Sequence, residues 1–153
     1  MEGTRTVLRL ATMHGESQVE STIMDDLIVT SLNDDDPIEL PRTYTRNEIP
    51  ADHSQIPTPS LISHWAHLCQ VAREIPELEP NLEIGLLIGS NCPAALEPLE
   101  VVPCQGDGPF ALRLRHGWTI SGPLRIETNK DSKKIIANRI TVREVEVQRE
   151  IIV

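Results

Sequence analysis

Leu82-Glu-Ile-Gly-Leu-Leu-Ile-Gly-Ser-Asn-Cys-Pro-Ala-Ala-Leu96 is the stretch on which a reading of this chain turns. Ile84, Leu86, Leu87 and Ile88 form a nearly continuous apolar run of strand length, which predicts a strand covered on both faces. Gly85 and Gly89 punctuate it, and glycine in a buried strand marks a close backbone approach or a sharp exit. Ser90 and Asn91 offer cap oxygens to a short helical turn over Pro93 to Leu96, with proline near its start. The stretch predicts a strand, a glycine exit and a short helical turn within a β-rich fold.

Working outward towards the C-terminus, Leu99 to Pro103 and Phe110 to Arg115 read as strands joined by the tight turn Gly106-Asp107-Gly108-Pro109. The second alternates Phe110, Leu112 and Leu114 against Ala111, Arg113 and Arg115. Gly117, Gly122 and Pro123 bracket a further strand with Trp118 and Ile120 on one face. After a turn at Asn129 to Ser132, the alternation Val142-Arg-Glu-Val-Glu-Val147 predicts a final strand, with a charged helix as the other reading.

Towards the N-terminus, Thr6 to Met13 and Val19 to Leu32 flank His14-Gly15-Glu16-Ser17 and predict a long hairpin. Asn33-Asp34-Asp35-Asp36-Pro37 breaks it. Ile38 to Thr45 is a second strand candidate, with Ile38, Leu40 and Tyr44 on one face. Pro50, Pro57 and Pro59 remove backbone donors and predict a long loop. Thr58 then caps a helix entered at Pro59, with Leu61, Ile62, Trp65 and Leu68 at helical spacing and continuation through Val71 and Ala72 until Pro76 stops it.

At 153 residues and 39% hydrophobic, the chain is the length of one domain with a core to match. The aromatics are Tyr44, Trp65, Phe110 and Trp118, so the core must rest on Leu, Ile and Val, residues that suit a pleated sheet. A formal charge of −9 argues against a nucleic-acid partner, because phosphate binding depends on clustered cations. The late basic residues, from Arg125 to Arg149, are interleaved with Glu and Asp and read as a solvated mixed-charge surface. Met1 to Leu10 carries Glu2, Arg5 and Arg9 and is no secretory signal, and no apolar run approaches membrane-spanning length. Cys69, Cys92 and Cys104 are odd in number and widely spaced. These features predict free thiols and an intracellular, cytoplasmic protein without a membrane partner.

The ordered series of short motifs resembles the protease region of BEL/Pao-type retrotransposon polyproteins. It comprises Leu40-Pro-x-x-Tyr-Thr45, Ile49-Pro50, Ile56-Pro-Thr-Pro59, Trp65-x-His-Leu68, Leu87-Ile-Gly89 followed by Asn91, and Gly117-Trp-x-x-x-Gly-Pro123. The resemblance covers about Thr4 to Ile140. It implies a mainly β, partial retropepsin-like (acid-protease) barrel with one or two short helices and a C-terminal β extension. The implied division is a truncated domain over residues 1–124 and an extension over 125–153, β or partly disordered. The hairpin near the start would contain the region corresponding to a substrate-covering flap.

An aspartic protease pairs two carboxylates so that one ionises while the other keeps its proton. In the dimeric retroviral kind each chain brings one, from an Asp-Ser-Gly or Asp-Thr-Gly loop, and this chain contains neither. Asp131-Ser132-Lys133 is the nearest miss. Lys133 stands where the loop needs glycine, and the position follows the Leu-Ile-Gly stretch that it should precede. The expectation is a chain that begins downstream of the catalytic loop: a retroelement-derived, aspartic-protease-like remnant, inactive alone. The other reading is a piece of an active aspartic endopeptidase whose polyprotein supplies the missing loop. No catalytic, cofactor-binding or metal-ligating residue is assigned.

His64, His67 and Cys69 read as residues of a helix placed by packing rather than as a metal set, for want of a fourth ligand. The acidic run Asp34 to Asp36 reads as a turn rather than a calcium loop. Partners compatible with the sequence are a second copy of the chain, the remainder of a polyprotein, or a peptide ligand that pairs with an exposed sheet edge.

Overall fold

Strands β1 (Thr4–Thr12) and β2 (Gly15–Met24) pair antiparallel along their whole length in the computed structural model, which describes residues 3–32, 36–49, 51, 53–124 and the backbone of 141–144. The pairing places Leu8 opposite Val19 and Thr6 opposite Ser21, so Leu8, Leu10, Val19 and Ser21 share one face. Leu8 and Leu10 are buried there. The predicted hairpin is present, with a tighter turn than His14 to Ser17 suggested. Thr12 pairs with Gly15 across a two-residue loop, and Gly15 takes φ 136°, a conformation open to glycine. β2 also stops at Met24 rather than Leu32, because Asp26 turns the chain through a left-handed conformation at φ 60°.

The predicted strand over Ile38 to Thr45 is two short strands divided at Pro41, which cannot donate to a ladder. β3 (Ile28–Val29) pairs with β4 (Ile38–Glu39), while β5 (Thr43–Tyr44) pairs with the end of β2. Thr45 fastens that return. Its N–H donates to Thr22 O (3.0 Å), its Oγ1 accepts from Thr22 N–H (2.9 Å), and its carbonyl accepts from the buried Ser21 hydroxyl (2.8 Å).

The helical segment is broken where one continuous helix was an option. α1 (Pro59–Ile62) is capped by Thr58 as predicted, with Pro59 at its first turn, and ends at Ser63, whose N–H and hydroxyl both donate to Pro59 O. Trp65 is extended. A tight turn over Ala66–Leu68 leads into α2 (Cys69–Glu74). Trp65 is held by tertiary contacts, described below, and these outweigh the helical periodicity of its neighbours.

α3 (Pro93–Leu96) forms where predicted, but Asn91 does not cap it. Cys92 occupies the cap position without a side-chain bond, and the turn is closed instead by Cys92 N–H donating to Gly89 O (3.0 Å). β6 (Glu100–Val102), β7 (Phe110–Leu114) and β8 (Gly117–Ser121) make an antiparallel sheet in that order. β9 (Thr141–Glu144) pairs antiparallel with β1, Leu8 opposite Glu144, and completes a sheet ordered β5-β2-β1-β9. The remainder of the predicted C-terminal extension lies outside the described residues.

Two compact units result. The first holds Met1–Leu27, Pro41–Asn47 and Asn129–Val153, and the second Ile28–Leu40 and Glu48–Thr128. The fold is mainly β, in three small antiparallel sheets, and among the described residues no sheet closes into a barrel.

The core of the second unit gathers Ile62, Leu68, Val71 and Ala72 against Ala111, with Trp65, Ile75, Val102, Trp118, Ile120 and Leu124 packed around them. The face of β7 that meets the helices is therefore the Ala111 face, not the one bearing Phe110 and Leu112. Ala111 pairs with Ile120 on one side and Val102 on the other, and its small side chain lets the helices approach between larger neighbours. A smaller cluster joins Ile38, Cys92 and Ala95, with Leu40, Ile88 and Ala94 leaning on it.

The largest departure concerns Leu82 to Ile88. This run enters no sheet. It passes from Leu82 to Gly89 without helix, turn or bend. Leu82, Leu86 and Leu87 are exposed, Leu87 by 60%. The β6–β8 meander pairs within itself and does not take up this run, while Ile88 finds only the small cluster around Ile38.

Candidate functional site

In the second unit the polar and aromatic side chains concentrate where α1 and α2 meet the turn before β7. The Trp65 ring lies on Gly108, so closely that an added Cβ there would stand 2.7 Å from the ring. Trp65 Nε1–H donates to Leu124 O (3.3 Å). His67 Nε2 lies 2.9 Å from Pro109 O, and since a carbonyl can only accept, that nitrogen carries the proton. Trp65 and His67 meet edge to face at 6.2 Å between centroids. Trp65 thus covers Gly108 while His67 holds the carbonyl of the fully buried Pro109. Trp118 Nε1–H donates to Glu74 Oε2 at 2.8 Å, joining β8 to the end of α2.

This arrangement commits each of its polar groups to a structural bond. His64 Nδ1 faces Ser60 O at 2.8 Å, and Cys69 Sγ sits 3.7 Å from the carbonyls of Ser63 and Trp65. His64, His67 and Cys69 thus face three separate sets of backbone oxygens rather than one another. Among the described residues no group of three or more His, Cys, Asp or Glu side chains could hold a metal ion. The three cysteines are free thiols, Cys92 buried and Cys104 exposed. His116, in the two-residue turn between β7 and β8, keeps a buried Nδ1 without a hydrogen-bond partner among the described residues.

The aspartates are dispersed. Asp25 pairs with Arg42 in the first unit (3.1 Å), and Asp36 with Arg115 in the second (3.2 Å). Asp26 shapes the turn after β2, and Asp107 sits in the turn before β7. Asp34, Asp35, Asp52 and Asp131 lie outside the described residues. The described carboxylates include no pair facing each other with a proton to share, the arrangement that acid proteolysis requires.

No family model matches this chain. Searches of curated proteins and of solved structures likewise return no match.

The run from Leu82 to Gly89, expected to be a covered strand, lies largely exposed instead. Leu82 N–H closes the preceding turn on Glu79 O (3.1 Å), and Gly89 O accepts from Cys92. Between them, residues 83–88 make no backbone hydrogen bond among the described residues. Gly85 is surrounded by open space. The sequence signal for this was present but faint. Pro76, Pro80 and Pro93 bound the run closely and limit which neighbouring segment could have been its ladder partner.

Among the described residues no helix is long and apolar enough to cross a membrane.

Proposed function

We propose that this chain is a retroelement-derived, aspartic-protease-like protein with no catalysis of its own, which works by associating with another polypeptide. One observation carries the non-catalytic part: none of its aspartates stands in an Asp-Ser-Gly or Asp-Thr-Gly, and Asp25 and Asp36 are each engaged by an arginine. A carboxylate turned to a guanidinium is not turned to a second carboxylate, and acid proteolysis requires that second carboxylate. The ordered motif series from Leu40 to Pro123 supports the ancestry, and the mainly β fold is compatible with it. Association, rather than turnover, is favoured by the exposed run at Leu82 to Gly89, a surface that folding has left unused.

The test is cleavage of an unstructured protein substrate in mildly acidic buffer, with and without pepstatin. The expected result is no pepstatin-sensitive cleavage by the isolated chain. Acid-stimulated turnover that disappears when one aspartate is changed to asparagine would overturn the reading.

A further inference from the structure

We propose that Glu83 to Ile88 is a docking edge for an extended, positively charged peptide strand, which adds to it by backbone pairing. This deepens the associative reading above by naming the surface and the class of ligand. Four observations converge on it.

First, the run passes without helix, turn or bend and its backbone donors and acceptors are unused among the described residues, which is what a strand needs in order to accept a neighbour. Second, its side chains are poised for the exchange. Ile84 and Ile88 are half-buried, Ile88 resting on the Ile38, Cys92 and Ala95 cluster, while Leu86 and Leu87 stand in solvent. The run is thus held at Ile84 and Ile88 and exposed between them. Third, nothing lies within 4 Å of the position a Cβ would take on Gly85, so no neighbouring group crowds the run there.

Fourth, charge identifies the occupant. From Glu74 to Leu112 the chain contains no Lys, Arg or His, yet it carries Glu74, Glu77, Glu79, Glu83, Glu97, Glu100 and Asp107. Glu74 and Glu100 are engaged by Trp118 and Arg113. Glu77, Glu79, Glu83 and Glu97 are exposed, with no ion-pair partner among the described residues. They flank the apolar run on both sides in sequence. A strand with apolar or β-branched residues at its centre and Lys or Arg at its ends satisfies both the run and its fringe. A second copy of this chain does not, because it brings the same unpaired carboxylates and a formal charge of −9 to within a strand spacing of about 4.8 Å, inside the screening length of about 8 Å at physiological salt.

The outer edge of β6 is a poorer candidate, three residues long and shut in by Pro98 and Pro103.

The experiment uses the full chain and a capped peptide, acetyl-Lys-Val-Thr-Val-Thr-Val-Lys-amide, with amide hydrogen exchange read residue by residue. The expected result is slowing of exchange within residues 83–88, by about tenfold or more at saturating peptide. Replacing both peptide lysines by glutamate should weaken binding about tenfold, since each terminal charge is exposed and contributes modestly. Two variants separate docking from folding. Leu86→Pro removes a donor from a run that makes no internal bonds, so it should abolish protection while leaving the denaturation midpoint unchanged. Leu87→Lys should weaken the lysine peptide and strengthen the glutamate peptide.

Protection that is absent, equal for both peptides, confined to β6, or induced by raising protein concentration without peptide would overturn the proposal, the last in favour of a second copy. Cleavage of the peptide would instead overturn the non-catalytic reading and leave the docking edge standing, so the two failures are distinguishable.

Discussion

Changing Gly108 to alanine should destabilise the second unit through a single contact. The new Cβ would lie 2.7 Å from Trp65 Cζ3 and 3.0 Å from Gln105 O. Carbon atoms at rest stand about 3.5 to 4.0 Å apart, so roughly 1 Å of room is missing. Neither neighbour yields easily. Gln105 O is backbone and already accepts from Gly108 N–H at 3.1 Å, while the Trp65 ring is tethered through Nε1 to Leu124 O and packed against the core. Overpacking of this kind costs about 1 to 3 kcal/mol. Gly108 is not among the residues of positive φ, so alanine meets no backbone strain there, and the loss of unfolded-state freedom returns about 0.4 to 1 kcal/mol. The net expectation is a loss of about 1 to 2 kcal/mol in urea unfolding followed by far-ultraviolet circular dichroism. Because the cause is the ring, the same substitution in a Trp65→Leu background should cost little or become favourable. Stability equal to the parent, or a penalty undiminished when the ring is gone, would refute the reasoning.

Other outcomes can be read by the same unfolding measurement. Leu68 is fully buried between α2 and the β7 face, and Leu68→Ala should cost about 3 kcal/mol, the middle of the range for leaving a cavity in a core of this kind. Thr58→Ala removes the cap of α1, but the bond from Leu61 N–H to Thr58 Oγ1 is long at 3.4 Å, so the loss should fall near the low end, about 0.5 kcal/mol. Glu100→Gln breaks an ion pair with Arg113 whose partners are 53% and 43% exposed, and a change above about 1 kcal/mol would contradict the solvent screening expected there.

Local chemistry was readable where one or two residues decide the backbone. Thr58 and Pro59 start a helix because a hydroxyl meets the free N–H groups and proline has none to lose, and this needs no knowledge of the rest of the chain. The hairpin over β1 and β2, the turn before β7 and the strands that follow it were legible for similar reasons. What failed was inference from apolarity to burial. Ile84 to Ile88 has the composition of an interior strand, but a strand is interior only if another segment pairs with it, and pairing is a property of the whole fold. On β7 the alternation was legible, but not which face the helices would cover, and that face is the one bearing Ala111. The candidate edge was therefore only faintly marked in the sequence, by the prolines that bound it, whereas the missing Asp-Ser/Thr-Gly was plain from it.

The pairing of β9 with β1 has a consequence for how the protein is made. Leu8 to Ala11 emerge from the ribosome early, but the strand that covers their outer flank is drawn from Thr141 to Glu144. At ordinary rates of translation the gap between them is on the order of ten seconds, during which the nascent hairpin shows an uncovered flank to whatever is nearby. A chaperone that binds bare strands would find its target there, and would be displaced once Thr141 to Glu144 arrived to claim the position.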